Sequence, residues 1–177
     1  PPPMNLNLGA GDRYAPSWVN VDLPSCPHPV DRHVDLAGPL PWAERSIDLV
    51  FAGHILEHMA YDQCAHLLSA LRPLMRPGGE ILVVGPDLAK ATEMQAAGIV
   101  LEVPLEHIRD GSHRWSGDEH RWAPDADSTG ALLKEAGWVQ VTTVDVAETD
   151  SRWPVAYRQL AWQYAVTATA PGGQPNE

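Results

Sequence analysis

The chain has 177 residues, 44% hydrophobic and 20% charged, which suits one soluble globular domain with a real core. Twelve lysines and arginines stand against 23 acids, a net charge of −11, which argues against a protein that grips nucleic acid or anionic lipid through a broad basic face. No apolar run reaches the roughly 18 residues of a membrane span, no charged-then-apolar leader opens the sequence, and two cysteines, Cys26 and Cys64, are too few for a disulfide framework or a zinc cluster. The expectation is a cytoplasmic protein with free thiols and no membrane partner.

In chain order, Pro1-Pro2-Pro3 reads as a disordered lead-in. Short apolar or alternating runs predict strands at 4–8, 19–23 and 32–35. Only residues 9–18 separate the first two, fewer than the dozen or so that a parallel crossover uses. The early helices are therefore reduced to a turn, or one face of the sheet is bare. A fourth strand is expected at 47–52. Leu67, Leu68, Leu71, Leu74 and Met75 share one face of a helix over 61–75, which Arg76-Pro77-Gly78-Gly79 stops before a fifth strand at 80–84. Residues 87–124 read as an insert or lid. A helix over 127–136 turns Leu132, Leu133 and Ala136 inward and ends at Gly137. Strands at 139–146 and 163–170 flank a further helix over 154–162, and 171–177 reads as a disordered tail. Strands alternating with helices give an α/β fold, one domain over 4–170, with a mostly parallel open sheet whose late strands pair antiparallel at one edge.

Asn5-Leu6-Asn7-Leu8-Gly9-Ala10-Gly11 is a strand running into a glycine turn. Gly9 and Gly11 permit a tight turn and a close approach of ligand to backbone, whose N–H groups suit a carboxylate or phosphate. Asp22 ends Val19-Asn20-Val21-Asp22, where open α/β folds place an acid that accepts from ribose hydroxyls. Asp35 ends the next short strand. Three tips in order point to a nucleoside-shaped ligand; otherwise the two aspartates cap turns. Tyr14 stands where a dinucleotide fingerprint needs its third glycine, and no P-loop Gly-Lys-Ser/Thr is present.

These motifs, with Val34-Asp35-Leu36, Leu40-Pro41-Trp42, Ser46-Ile47-Asp48-Leu49-Val50, His54-Ile55-Leu56-Glu57-His58 and the 71–79 turn, resemble in order and spacing the class I S-adenosylmethionine-dependent methyltransferases, in particular the methyltransferase type 11 group, over residues 4–170. The resemblance implies a Rossmann-like fold and S-adenosyl-L-methionine as cofactor. It implies cofactor contacts at Leu8, Gly9, Ala10, Gly11, Asp22, Leu23, Asp35 and Leu36, with Gly53 and His54 near the methionine moiety. The missing third glycine and shortened first helix depart from that pattern, and Arg13 is expected to compensate by pairing with the methionine carboxylate.

His54 and His58 are four apart, a spacing that two imidazoles can use to share zinc, but the chain spaces no third ligand beside them, so no metal is expected. Packing of His58 under the cofactor loop is the expected role. The 87–124 segment, after the fifth strand, carries His107, Arg109, Asp110 and the repeated tripeptide His113-Arg114-Trp115 and His120-Arg121-Trp122. His113 and His120 are the candidate general bases for a hydroxyl acceptor, although His120 could equally anchor the next helix. The fourth tip, Phe51-Ala52-Gly53-His54, lacks the Asn/Asp-Pro-Pro-Tyr/Phe signature of enzymes that methylate DNA base amines. A small-molecule, sugar-like oxygen or nitrogen acceptor is therefore expected, with nucleic acid disfavoured. Two other readings stand: the same fold on a nucleic acid or protein acceptor, favoured by a basic groove at Arg109, Arg114 and Arg121, or a non-catalytic accessory subunit. With no cap expected before the first strand, closure falls to the 87–124 segment or to the partner subunit of a homodimer.

Overall fold

In the computed structural model, which describes residues 3–154 and 160–172, all seven expected strands form and join one sheet. They are β1 (Asn5–Leu8), β2 (Val19–Asp22), β3 (Arg32–His33), β4 (Ile47–Gly53), β5 (Met75–Pro86), β6 (Val139–Thr143) and β7 (Gln163–Thr169), in the order β3-β2-β1-β4-β5-β7-β6. The first five are parallel to one another, and β7 runs against both β5 and β6. The architecture is α/β and Rossmann-like. Among the described residues no helix is long and apolar enough to cross a membrane.

Strand alternation sorts the two faces. Leu6, Leu8, Val21, Val50, Ala52, Ile81, Val83 and Val166 enter the main core, which α1 (Tyr61–Leu71) and α4 (Ala126–Glu135) close with Leu67, Leu68, Leu71, Leu132 and Leu133. On the other face Phe51, Leu82, Val84 and Ala165 pack against Val146, Trp18 and Trp153, whose two indole rings lie 6.0 Å apart.

Several ends differ from expectation. Helix α1 stops at Leu71 rather than Met75 because Pro73 has no N–H to give and clashes with the preceding turn; Arg72–Leu74 is a 3₁₀ turn and Met75 opens β5. The 76–79 stop is an irregular stretch of β5, with Gly78 at φ 79° and a register shift against β4 between Ile47 and Leu49. Strand β3 ends at His33, before Asp35, and β6 at Thr143, since Asp145 caps a short 3₁₀ turn by accepting from the Ala147 N–H at 2.9 Å. Two further helices, α2 (Leu88–Ala96) and α3 (Leu105–Asp110), occupy the 87–124 segment. Residues 155–159 of the helix expected over 154–162, and 173–177 of the expected tail, lie outside the described residues.

Among the described residues no helix joins β1, β2, β3 and β4. A polar network holds the first connection instead. The Asn7 amide, 3% exposed, donates to the Arg13 carbonyl (3.0 Å) and to Asn20 Oδ1 (2.9 Å). Asn20, wholly buried, also accepts from the Ala15 N–H (2.7 Å) and donates to the carbonyls of Ala15 and Trp18 and to Asp31 Oδ2. Asp31 accepts in turn from the Asn20 N–H (2.8 Å) and the Tyr14 hydroxyl (2.8 Å). Hydrogen bonds from the Asn20 backbone and side chain hold the Asp31 carboxyl below its ordinary range. Replacing Asn20 with alanine strips partners from several buried groups at once. Asn20→Ala is expected to lower unfolding free energy by about 2–4 kcal/mol, read as a lower denaturant midpoint with an unchanged slope.

Candidate functional site

The carboxyl ends of β1, β2 and β4 open onto one cavity of about 540 Å³, within the roughly 300–1,000 Å³ typical of small-molecule sites. Gly9 sits at φ 65°, and a β-carbon there would lie 3.1 Å from Ile55 Cβ, so both conformation and space call for glycine. Gly11 follows at φ 51°. Its N–H donates to Asp22 Oδ2 at 2.7 Å while the Leu23 N–H donates to Oδ1 at 2.7 Å. The carboxylate is thus clamped by backbone on both oxygens and keeps further lone pairs for a ligand. Asp35 Oδ1 accepts from the Ala37 N–H at 3.0 Å, which fixes the turn after β3.

Of the expected cofactor residues, Gly9, Ala10, Gly11, Arg13, Asp22, Leu23, Asp35, Leu36 and His54 line this cavity. Leu8 and Gly53 do not: both are buried in the strands behind it. His54 takes the left-handed region (φ 55°), unusual for a residue with a side chain, directly after β4. Its Nε2 lies 2.9 Å from Gln163 Oε1 and its Nδ1 3.3 Å from Glu57 Oε1.

Another part of the cavity wall is built around Glu57, which is fully buried in the 3₁₀ turn Leu56–His58. Burial works against its ionisation, but the His54 contact and the nearby imidazoles of His54, His58 and His120 outweigh it and hold the carboxyl below its usual range. The 119–122 segment is fastened onto this turn. The Arg121 N–H donates to the Glu57 carbonyl (2.7 Å), Trp122 Nε1 to the Leu56 carbonyl (2.8 Å), and His58 Nδ1 meets the Glu119 carbonyl (3.2 Å). His120 consequently lines the cavity with its ring against His58, centroids 4.7 Å apart. Burial pushes the His120 pKa down, so the ring is neutral at pH 7.

The two tripeptides have opposite fates. His113, one of the two candidate bases, is exposed, at φ 52°, and is not part of the cavity wall. Its neighbour Arg114 pairs with buried Asp118 (Nε to Oδ2, 3.1 Å) and stacks over Trp115 at 4.3 Å. In the second copy, Trp122 packs its indole edge-to-face with Tyr61 at the start of α1, centroids 5.3 Å apart. Glu57, Trp115, Trp162 and His107 also face the cavity. Of these, the only local signal for Glu57 was an acid embedded in the apolar run Ile55-Leu56.

No protein-family model matches the sequence, and no curated protein does. Solved structures match closely in shape. A methyltransferase of Archaeoglobus fulgidus described as S-adenosylmethionine-dependent superposes with a TM-score of 0.60 at 14% identity, covering 94% of this chain and 86% of its own. One from Methanosarcina mazei gives 0.59 at 9% identity, covering 96% and 93%. Human N-acetylserotonin methyltransferase, in complex with S-adenosylmethionine, gives 0.57 at 19% identity and 96% of this chain. The chain has the class I methyltransferase fold. It spans 48% of the length of the human enzyme.

Beneath the site, Cys64 is wholly buried with its thiol 3.3 Å from the Leu56 carbonyl, and burial pushes its pKa up to about 12. Cys26 is 7% exposed and also raised by burial. Since the thiolate is the reactive form, a disulfide reagent at pH 8 is expected to leave Cys64 unmodified in the native protein and to titrate two thiols after denaturation. Rapid native labelling of Cys64, located by peptide mapping, would contradict this packing.

Proposed function

We propose that the protein is a methyltransferase that uses S-adenosylmethionine to methylate an oxygen or nitrogen of a small, sugar-like acceptor. The observation that carries this reading is the Gly9–Gly11 turn facing a backbone-clamped Asp22 in the wall of one cavity. Bound there, the cofactor would supply an electrophilic methyl group on its sulfonium. Asp22 would accept from the ribose hydroxyls, Asp35 and Leu36 would border the adenine, and Arg13 would reach the methionine carboxylate. His54, at the tip of β4, would border the sulfur. Methyl transfer then asks mainly for alignment of the acceptor lone pair and exclusion of water, which the ring-lined part of the cavity can provide.

The acceptor class is supported by charge. The three arginines that would make a basic groove are each turned to an acid: Arg109 to Asp110, Arg114 to Asp118 and Arg121 to Glu119. With the net charge of −11, this favours a small acceptor over a polyanion.

Calorimetry is expected to find tight binding of S-adenosylhomocysteine and none of NAD. Asp22→Ala removes a charged acceptor and is expected to weaken binding by about 1.5–3 kcal/mol. Labelled methyl from the cofactor should pass to hydroxyl or amine compounds in an acceptor panel. Equal affinity in the variant would take Asp22 off the ribose, and absence of binding in the wild type would end the reading.

A further inference from the structure

Among the described residues one set of metal-ligating side chains converges. The ligand atoms of Glu57, His58 and His120 all lie within 4.8 Å of one another. The chain spaces no third ligand beside His54 and His58; the fold delivers one from the other side of the cavity. His58 Nδ1 faces the Glu119 carbonyl at 3.2 Å and His120 Nδ1 faces the Ile108 carbonyl at 3.0 Å. A carbonyl only accepts, so these contacts select the tautomer with the proton on Nδ1, which keeps Nε2 as the atom each ring can give a cation. Tethering of one ring nitrogen to a carbonyl is the usual support of a metal-bound imidazole.

Glu57 supplies the second, independent observation. It is 0% exposed, and neither carboxylate oxygen has a hydrogen-bond partner among the described residues; Oε1 makes only the 3.3 Å ion-pair contact with His54 Nδ1. A buried carboxylate with unfilled lone pairs is costly unless it is paired or ligates a metal. All three residues border the same cavity.

We propose that Glu57, His58 and His120 bind a divalent transition-metal ion of the Zn²⁺ class, with its remaining coordination positions open to an oxygen of the acceptor. Two imidazoles and one carboxylate are the donor set that holds such ions in sites with an open position. With bonds of about 2.0–2.2 Å the ligand atoms stand roughly 3–3.5 Å apart, so binding draws the three side chains slightly inward. His120 cannot be both ligand and general base, because both roles use the same Nε2 lone pair. The proposed ion departs from the metal-free site expected from the sequence. The oxygen ligand's identity as acceptor rests on the methyltransferase reading; the metal site itself does not.

The test uses untagged, chelator-stripped full chain titrated with Zn²⁺ and, separately, with Co²⁺. The wild type is expected to take up one equivalent and to give a Co²⁺ spectrum without a thiolate charge-transfer band, a readout that needs no variant. Glu57→Gln and His120→Ala are expected to weaken uptake by more than the ~100-fold typical of losing a mere outer-shell partner, whereas His113→Ala binds as wild type. Melting curves and S-adenosylhomocysteine binding, measured on every variant, establish that each is folded. A wild type that binds S-adenosylhomocysteine but takes up no stoichiometric metal overturns the site, as does equal uptake by folded Glu57→Gln and His120→Ala. Uptake with the expected pattern in a protein that binds no S-adenosylhomocysteine leaves the metal site standing and removes the methyltransferase reading.

Discussion

The buried amide pair Asn7–Asn20 takes the place of the first crossover helix, and the geometry of the cofactor end depends on it. Parallel strands β1 and β2 must be joined by a connection that returns along the sheet, and a helix normally does this with its own backbone bonds satisfied. A short loop has no such internal ladder, so its buried N–H and carbonyl groups need partners from elsewhere. Asn7 and Asn20 supply them to Arg13, Ala15 and Trp18, and Asp31 braces Asn20. Because the network is satisfied in the interior, it selects one loop conformation rather than merely tolerating it. That conformation sets the Gly11 N–H within 2.7 Å of Asp22.

The cavity wall is made from two kinds of material. Around Gly9–Gly11 and Asp22, strand tips and backbone N–H groups determine position. Around Glu57, imidazoles, indoles and a buried carboxylate form the wall. The first depends on sheet register, which the core beneath holds. The second depends on how residues 119–122 are pinned to the turn after β4, by the Arg121 N–H and the Trp122 indole.

What could be read from the sequence follows the same division. The strands and the glycine turn were legible because their signals are local: period-two alternation, and glycines ahead of an acid at a strand tip. The end of α1 was misjudged because the apolar spacing continues through Leu74 and Met75, while Pro73 breaks the hydrogen-bond ladder beneath it. Helices α2 and α3 went unseen because they bury so little, Ala91 in one and Ile108 in the other. Asp87, which accepts from the Lys90 N–H, was the one available start signal for α2. His113 and His120 carry the same tripeptide, so nothing local separates them. A bridge between Gly111 and Glu119 closes the intervening residues into a loop in which His113 is exposed, while His120, just past the bridge, lines the cavity.

Strand β7 comes after the other six in sequence yet lies between β5 and β6. Until residues 163–169 leave the ribosome, the apolar edge of β5 has no neighbour on that side, and β6 has no strand to pair with at all. Between the emergence of β5 and that of β7 the nascent chain thus carries an open, sticky sheet margin, the kind of surface that recruits chaperones or aggregates. Arrival of β7 closes both edges in one event, so the last strand to emerge is the one that converts a vulnerable half-sheet into a finished fold.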